Sequence, residues 1–207
     1  MTPPHTSAPP IAVRRAAATD RDAVARLIGE AFMRDPVSEW VFPDEEQRRA
    51  VHPAFFGVFL DAALRDGWVD VTGDLTAAAL WMPVGTDGAP QSDAAGDEAF
   101  ARRLAEAGGT ERGGIVGELT AAAHPSQPHY YLPIIGALPG HRDRGLGRAL
   151  ITHVTDRCDR EGVAAYLEAS NPRSRLLYER LGFVFTGTSV DLPGGPSLWP
   201  MWRAPRT

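Results

Sequence analysis

The 207-residue sequence predicts an α/β fold, helices flanking a mixed sheet, and three observations carry that reading. Runs of strand type alternate with helical patterns along the chain. The turn Thr72-Gly73-Asp74 joins two apolar runs as an antiparallel hairpin. An aromatic-aliphatic strand over 130–138 then passes through Pro139-Gly140-His141 into a helical pattern, which opens a β-α-β unit. The resulting order is β, two helices, hairpin, an insertion over about 83–128, then β-α-β-α-β-β.

Residues 11–15 form a short strand. Thr19 caps a helix over 20–32, with Asp22 as its capping-box partner and Val24, Leu27, Ile28, Ala31 and Phe32 as its buried stripe. Asp35-Pro36 stops that helix, because a residue before proline avoids helical geometry. A second helix over 45–65 shows Val51, Phe55, Val58, Phe59 and Ala62 on one face, and Pro53 kinks or restarts it. Trp40 and Phe42 fall in the connection between the two. The hairpin pairs 68–71 with 76–82, and its second strand is apolar enough to be covered on both faces. The insertion holds a helix over 93–107 and a weaker one near 115–123. It has too few large apolar residues for its own core, so it lies over one end of the sheet. A strand over 164–169 leads to a helix over 172–181, with Asn171 at the N-cap and Pro172 in the first turn. Strands over 183–192 and 197–203 close the chain.

Composition narrows the function. The chain is 43% hydrophobic with a net charge of -5, so general nucleic-acid binding is not expected. The single Cys158 excludes an internal disulfide and a multi-cysteine metal site, and its place on a helix's inward face makes it a core thiol. There is no run of about 18 apolar residues, so no membrane span is expected. The opening MTPPHTSAPP lacks an apolar signal core and reads as a disordered tail. That leaves 11–207 as a single domain, cytoplasmic by default, either a monomer or a homodimer.

The chemistry concentrates in 129–150. After the turn, Leu146, Leu150, Ile151, Val154 and Cys158 fall on one helix face. A strand, a glycine-bearing turn and a helix aim free backbone N–H groups at one point, where the positive end of the helix dipole also lies. Arg142, Arg144 and Arg148 add positive charge, while Gly145 and Gly147 allow a tight turn and close approach to a ligand. A P-loop is excluded because no Gly-Lys-Ser/Thr follows. A dinucleotide fingerprint is excluded because Gly147 is followed three residues on by Leu150.

What remains, Arg142-Asp143-Arg144-Gly145-Leu146-Gly147, resembles the pyrophosphate loop of the GNAT acetyltransferase superfamily. A second stretch, LEASNPRSRLLYERLGF over 167–183, resembles that superfamily's other signature, with Asn171, Tyr178 and Leu181-Gly182-Phe183 in its fixed places. This stretch and the Trp-rich SLWPMWR also resemble actinobacterial puromycin N-acetyltransferase-like proteins.

The resemblance implies a GNAT-like, mostly antiparallel sheet whose central parallel pair splays apart to hold acetyl-CoA as co-substrate, with no metal. Gly136, Ala137 and Leu138 would pair with the pantetheine. The amides of Arg142, Asp143, Arg144, Gly145, Leu146, Gly147 and Arg148 would hold the pyrophosphate, and Asn171 would reach the pantetheine arm or simply cap its helix. The implied reaction is direct attack of a small molecule's primary amine on the thioester. Tyr178 would protonate the departing thiolate, a modestly uphill transfer from a phenol near 10 to a thiol near 8.5. Glu168 is the nearest carboxylate for the base, although strand alternation decides where it points. Trp40 and Trp81 are expected to border the acceptor pocket. Two alternatives stand beside this reading. Protein N-terminal or lysine acetylation needs an open peptide groove, against which the insertion argues. A silent acyl-CoA-binding domain has no need of both Tyr178 and Asn171.

Overall fold

The stripe Val24, Leu27, Ile28 and Ala31 folds as helix α1, Arg21–Ala31, in a computed structural model that describes residues 11–86 and 94–206. The expected tail, 1–10, and Asp93, the expected first residue of the insertion helix, lie outside the described residues. Before α1 stands strand β1, Val13–Arg15. The start of α1 differs from the capping pattern of Thr19 and Asp22. Thr19 sits inside a 3₁₀ turn over Ala18–Asp20, and it is Asp20 that accepts the Ala17 amide at 2.8 Å.

Asp35 stops α1 as expected and also starts another helix. Its Oδ1 accepts the amides of Val37 and Ser38 at 3.0 and 3.2 Å, which caps α2, Pro36–Val41. Trp40 therefore lies on a helix rather than in a connection. Helix α3, Glu45–Asp66, runs unbroken through Pro53. Of the expected face Val58 is buried, while the innermost line beside it is Phe56, Leu60 and Ala63, one residue round from Phe55, Phe59 and Ala62. Phe55 and Phe59 are half-buried, with Phe59 edge-on to Phe100 at 5.2 Å.

Strands β2, Trp68–Thr72, and β3, Ala77–Val84, form the hairpin. Two insertion helices follow, α4 Ala94–Glu106 and α5 Glu111–Ala123. Helix α4 is fastened to α3 by Arg103, which donates to Asp61 at 2.6 Å. Helix α5 lays Val116 and Leu119 against Val37 and Trp40 of α2 and against Val190, Leu192 and Leu198. Next come β4 His129–Ala137, α6 Leu146–Glu161, β5 Ala164–Ala169 and α7 Pro172–Arg180. The expected strand over 183–192 is broken into β6, Val184–Phe185, and β7, Val190–Asp191, both paired with β8, Ser197–Arg203. Gly187, at φ 102°, lies in the bulged segment between them.

The sheet runs β1-β2-β3-β4-β5-β8-β6, with β7 on β8, and every pair is antiparallel except the central β4–β5. Alternation puts Ala77, Ala79 and Trp81 on the side of α6, where Leu150, Ile151, Val154 and Cys158 pack. Ala78 and Leu80 face α1 and α3, with Ile28, Phe56 and Leu60. Strand β3 is thus covered on both faces.

Two irregularities in β4 prepare the site. Its pairing with β3 steps from Leu80↔Ile134 to Met82↔Tyr131, so β4 carries one extra residue around Pro133. Its pairing with β5 ends at Tyr131↔Tyr166. From there the facing edges of β4 and β5 are unpaired with each other, and the parallel pair splays.

Candidate active site

The turn leaving β4 is shaped by two residues with positive φ. Asp143 stands at 64° and Gly145 at 81°. A side chain at Gly145 would be strained in the left-handed region whatever the space around it. The first amide of α6 to find a backbone partner is that of Ala149, bonded to the Gly145 carbonyl at 2.9 Å. Among the described residues, no acceptor is bonded to the amides from Arg142 through Arg148. Seven donors therefore stand around the positive end of a helix of 16 residues, an arrangement that suits a phosphate anion.

The side chains of this turn behave differently from the amides. The Arg142 guanidinium donates to the Ala31 carbonyl at 2.9 Å and so fastens the turn to the end of α1. Arg142 also lines the cavity described next, so its guanidinium is anchored at one nitrogen beside the place expected for phosphate. Asp143 pairs with Arg173. Arg144 and Arg148 are exposed, and Arg148 lines the cavity described next. Gly136 has a packing reason of its own, since a Cβ there would stand 2.8 Å from the Ala31 Cβ.

The splay opens into a cavity of about 670 Å³ between the end of α1, the turn and the start of α7. Ile135, Gly136, Ala137, Gly145, Gly147, Asn171 and Tyr178 all line it, so the structure gathers most residues expected around acetyl-CoA. Leu138 and Arg144 stand on the same turn without lining it. Asn171 is the helix cap: its Oδ1 accepts the Ser174 amide at 2.9 Å, and its Nδ2 donates to Ser170 Oγ at 3.4 Å. Tyr178 is almost fully buried, with its ring 6.2 Å from that of Phe183. Burial first, and the nearby Asp35 carboxylate second, push its phenol above the ordinary value, so it holds its proton through the neutral range.

Asp35 was not singled out by the sequence as a site residue. It receives the Ser170 hydroxyl at 2.5 Å, linking the α1–α2 elbow to the end of β5. Burial pushes its carboxyl above the ordinary range. The only local signal was the Asp-Pro pair, and the Ser170 contact spans 135 positions in sequence.

Glu168 lies two residues past the last parallel pair and points away from Leu167 and Ala169, which pack on the α6 side. It thus faces the side covered by α1, α2 and α5. Tyr131 Oη donates to its Oε2 at 2.9 Å. Burial pushes Glu168 up to about 7, with the hydroxyls of Tyr131 and Tyr166 pulling the other way. A carboxyl poised there can take and release protons near neutral pH. Rings enclose the cluster. His124, at the end of α5, lies edge-on to Tyr131 and Tyr166 at 4.7 and 4.9 Å. His129 is buried behind it, within 3.1 Å of the His124 Nε2, and is fixed by the Gln127 carbonyl at 2.7 Å.

The two tryptophans part company. Trp81 has no exposed surface and stacks on Trp68 with centroids 6.3 Å apart, on the α6 side of the sheet. The expectation that it borders the acceptor pocket is corrected: strand alternation turns it to the face opposite Glu168. Trp40 is half-buried in the α2–α5 contact, under the Arg112 guanidinium at 5.1 Å. Among the described residues, no group of three or more His, Cys, Asp or Glu could hold a metal ion, and no helix is long and apolar enough to cross a membrane.

Comparison with known proteins agrees with this geometry. Residues 77–183, just over half the chain, match the Acetyltransferase (GNAT) family. An uncharacterised N-acetyltransferase of Schizosaccharomyces pombe is 25% identical over 84% of this chain and 75% of its own length. Streptothricin acetyltransferase of Streptomyces lavendulae is 29% identical over 61% of this chain and 72% of its own. Among solved structures, a histone acetyltransferase HPA2 and related acetyltransferase from Corynebacterium glutamicum superposes with a TM-score of 0.68 at 25% identity, covering 96% of this chain and 98% of that one. Arylalkylamine N-acetyltransferase 2 from Aedes aegypti shares the fold, with a TM-score of 0.64 at 15% identity over 95% and 99%.

Proposed function

The chain belongs to the acetyltransferase (GNAT) family and is an N-acetyltransferase enzyme, and on that premise we propose that it moves an acetyl group from acetyl-CoA to the primary amine of a small molecule by direct attack on the thioester. One observation carries the reading. Where the parallel pairing ends at Tyr131↔Tyr166, the chain leaving β4 runs on to the unbonded amides 142–148, and β5 carries Glu168 two residues further along. The fit to acetyl-CoA rests on those amides, on the unpaired edges of β4 and β5 that can take an extended arm as an added strand, and on the 670 Å³ cavity.

Bound there, acetyl-CoA supplies the acetyl group as an activated thioester. The amides from Arg142 through Arg148 hold its pyrophosphate, and the edge of β4 at Gly136 and Ala137 orients the arm and gives an N–H to the thioester carbonyl, while the Leu138 amide is taken by the Thr76 carbonyl at 2.9 Å. Glu168 takes the proton of the acceptor's ammonium, which frees the nitrogen lone pair. Tyr178 keeps its hydroxyl proton in the resting site and gives it to the sulfur as charge develops there. Asn171 holds the start of α7, and with it Tyr178, in place. Trp40 stands at the edge of the acceptor side, where α2 meets α5.

A small acceptor is favoured over a protein because α5 lies across the face that a peptide groove would need. The resemblance to puromycin N-acetyltransferase-like proteins and the likeness to streptothricin acetyltransferase both point to an antibiotic or related metabolite amine. A cytoplasmic setting accords with use of acetyl-CoA. The test is release of CoA thiol against a panel of puromycin, streptothricin, aminoglycosides, polyamines, arylalkylamines and amino acids. Amine-dependent release with one small-molecule class is expected. Release only with peptides, or with no amine at all, would overturn the reading.

A further inference from the structure

Three polar side chains from two strands meet where the parallel pairing of β4 and β5 ends. Tyr131 and Tyr166 are partners in the last parallel pair, and their rings lie 5.7 Å apart. Tyr166 and Glu168, two residues apart on β5, point to the same face. Tyr131 Oη bonds Glu168 Oε2 at 2.9 Å. Glu168 Oε1 and the Tyr166 hydroxyl are shielded from solvent and close enough for the phenol to favour the ionised carboxyl, yet neither has a hydrogen bond of ordinary geometry among the described residues. A buried acceptor and a buried donor left unbonded side by side are costly unless they serve each other or a ligand. A carboxylate can only accept, and each oxygen can take two hydrogen bonds, so Oε2 can hold Tyr131 and still receive a proton.

We infer that Tyr131 and Tyr166 are positioning residues for the base of the transfer reaction: Tyr131 fixes Oε2 at the cleft, Tyr166 braces the shielded Oε1, and the acceptor's proton enters at Oε2. This rests on Glu168 being the base proposed above. The step balances. One N–H bond of the ammonium breaks, its electron pair stays on nitrogen, and an O–H bond forms at Oε2. A separated positive and negative charge become two neutral groups, which an enclosed site favours.

The other titratable groups near Glu168 stay fixed over the range in which it titrates. His124, at the end of α5, is pushed down to about 4 by burial and by His129, and His129 is lowered by burial. Both are therefore neutral. Asp35 is held by the hydroxyl of Ser170, the residue just past the end of β5 and two beyond Glu168. Strand β8 brings Pro200 and Trp202 opposite Glu168 and Tyr166, and neither titrates. Both phenols are held above their ordinary value, by burial first and then by Glu168. They remain donors.

The test is a carboxyl ¹³C NMR titration of glutamate-labelled protein, with the Glu168 resonance assigned by its loss in Glu168→Gln. The parent signal is expected to titrate near 7. In Tyr131→Phe it should move up by about one to two pH units, because a donor to the ionised form is gone. Tyr166→Phe should move it the same way by less. With the panel amine that the parent acetylates, the kcat loss of Tyr131→Phe should shrink as pH rises, with KM for acetyl-CoA unchanged. A loss equal at every pH would mean a structural role only. A Glu168 signal unmoved in both Phe variants sinks this inference and leaves the base reading standing. A parent signal at an ordinary carboxyl pH removes both. Tyr166→Phe keeps the question open to test should Tyr131→Phe fail to fold.

Discussion

The two sides of the splay are built from different material. On the cofactor side, donors are backbone amides from seven consecutive residues, held by two positive-φ positions and one helix end. On the side proposed for the acceptor, the groups are side chains: Tyr131 on β4, Glu168 on β5 and His124 at the end of α5, and the Tyr131–Glu168 bond joins positions 37 apart. The contrast teaches where each half is vulnerable. Amides survive any side-chain change that leaves the turn intact, so binding of the cofactor should be insensitive except at the glycines. Phenols and carboxylates are lost one atom at a time.

The largest effect should come from the residue at the boundary. Tyr178→Phe keeps the ring against Phe183 and removes only the hydroxyl, so kcat should fall by about 10²–10⁴ with KM for acetyl-CoA little changed. A Phe variant within about threefold of the parent at saturating substrates would move the acid role to water. Next, Trp81→Ala should destabilise the fold by about 3–5 kcal/mol in denaturant unfolding, because it empties a fully buried site beneath the sheet. Trp40→Ala should instead raise KM for the acceptor. If the two variants behave alike, the division of the sheet into two faces is drawn wrongly.

The backbone side is probed by Gly145→Val. A branched side chain in the left-handed region disfavours the turn by about 1–2 kcal/mol, so acetyl-CoA affinity measured by calorimetry should fall about five- to thirtyfold while the core stays folded. Normal binding would break the comparison, since the amides would then not depend on the turn. Acetyl-CoA at about 100-fold over its Kd should in turn stabilise the parent by roughly 2.7 kcal/mol in a thermal melt.

Glu168→Gln tests the acceptor side through stability alone. The native carboxyl titrates at about 7, above its ordinary 4.5, so the folded protein binds this proton more tightly than the unfolded chain does. The group's favourable contribution is complete below about 4.5 and is lost as pH rises through 7. The Gln variant, always neutral, should therefore melt higher than the parent at pH 8, with the difference all but gone at pH 4. Equal melting points at both would mean that Glu168 is not held out of water. The smallest effect is expected for Arg142→Ala. Its guanidinium bonds the Ala31 carbonyl, so about 1–3 kcal/mol should appear in stability and little in acetyl-CoA affinity.

The sequence by itself determined most of the elements and the turn proposed for the cofactor, because these depend on neighbours along the chain. The strand 164–169 and the helix behind Pro172 were legible from apolar pattern, Asn171 and Pro172. The turn proposed for the pyrophosphate was legible as a turn because a glycine at its tight bend and a helix start are local facts. What the tertiary structure decided was everything that depends on which face a strand presents. Trp81 and Glu168 both sit on apolar strands with nothing local to orient them, and pairing register sent one beneath α6 and the other to the acceptor side. The extra residue of β4 near Pro133 and the pairing that ends at Tyr131 opened the splay. The contacts of Asp35 with Ser170 and of Tyr131 with Glu168 exist only because separate segments converge there, and no spacing in the chain encodes such a meeting.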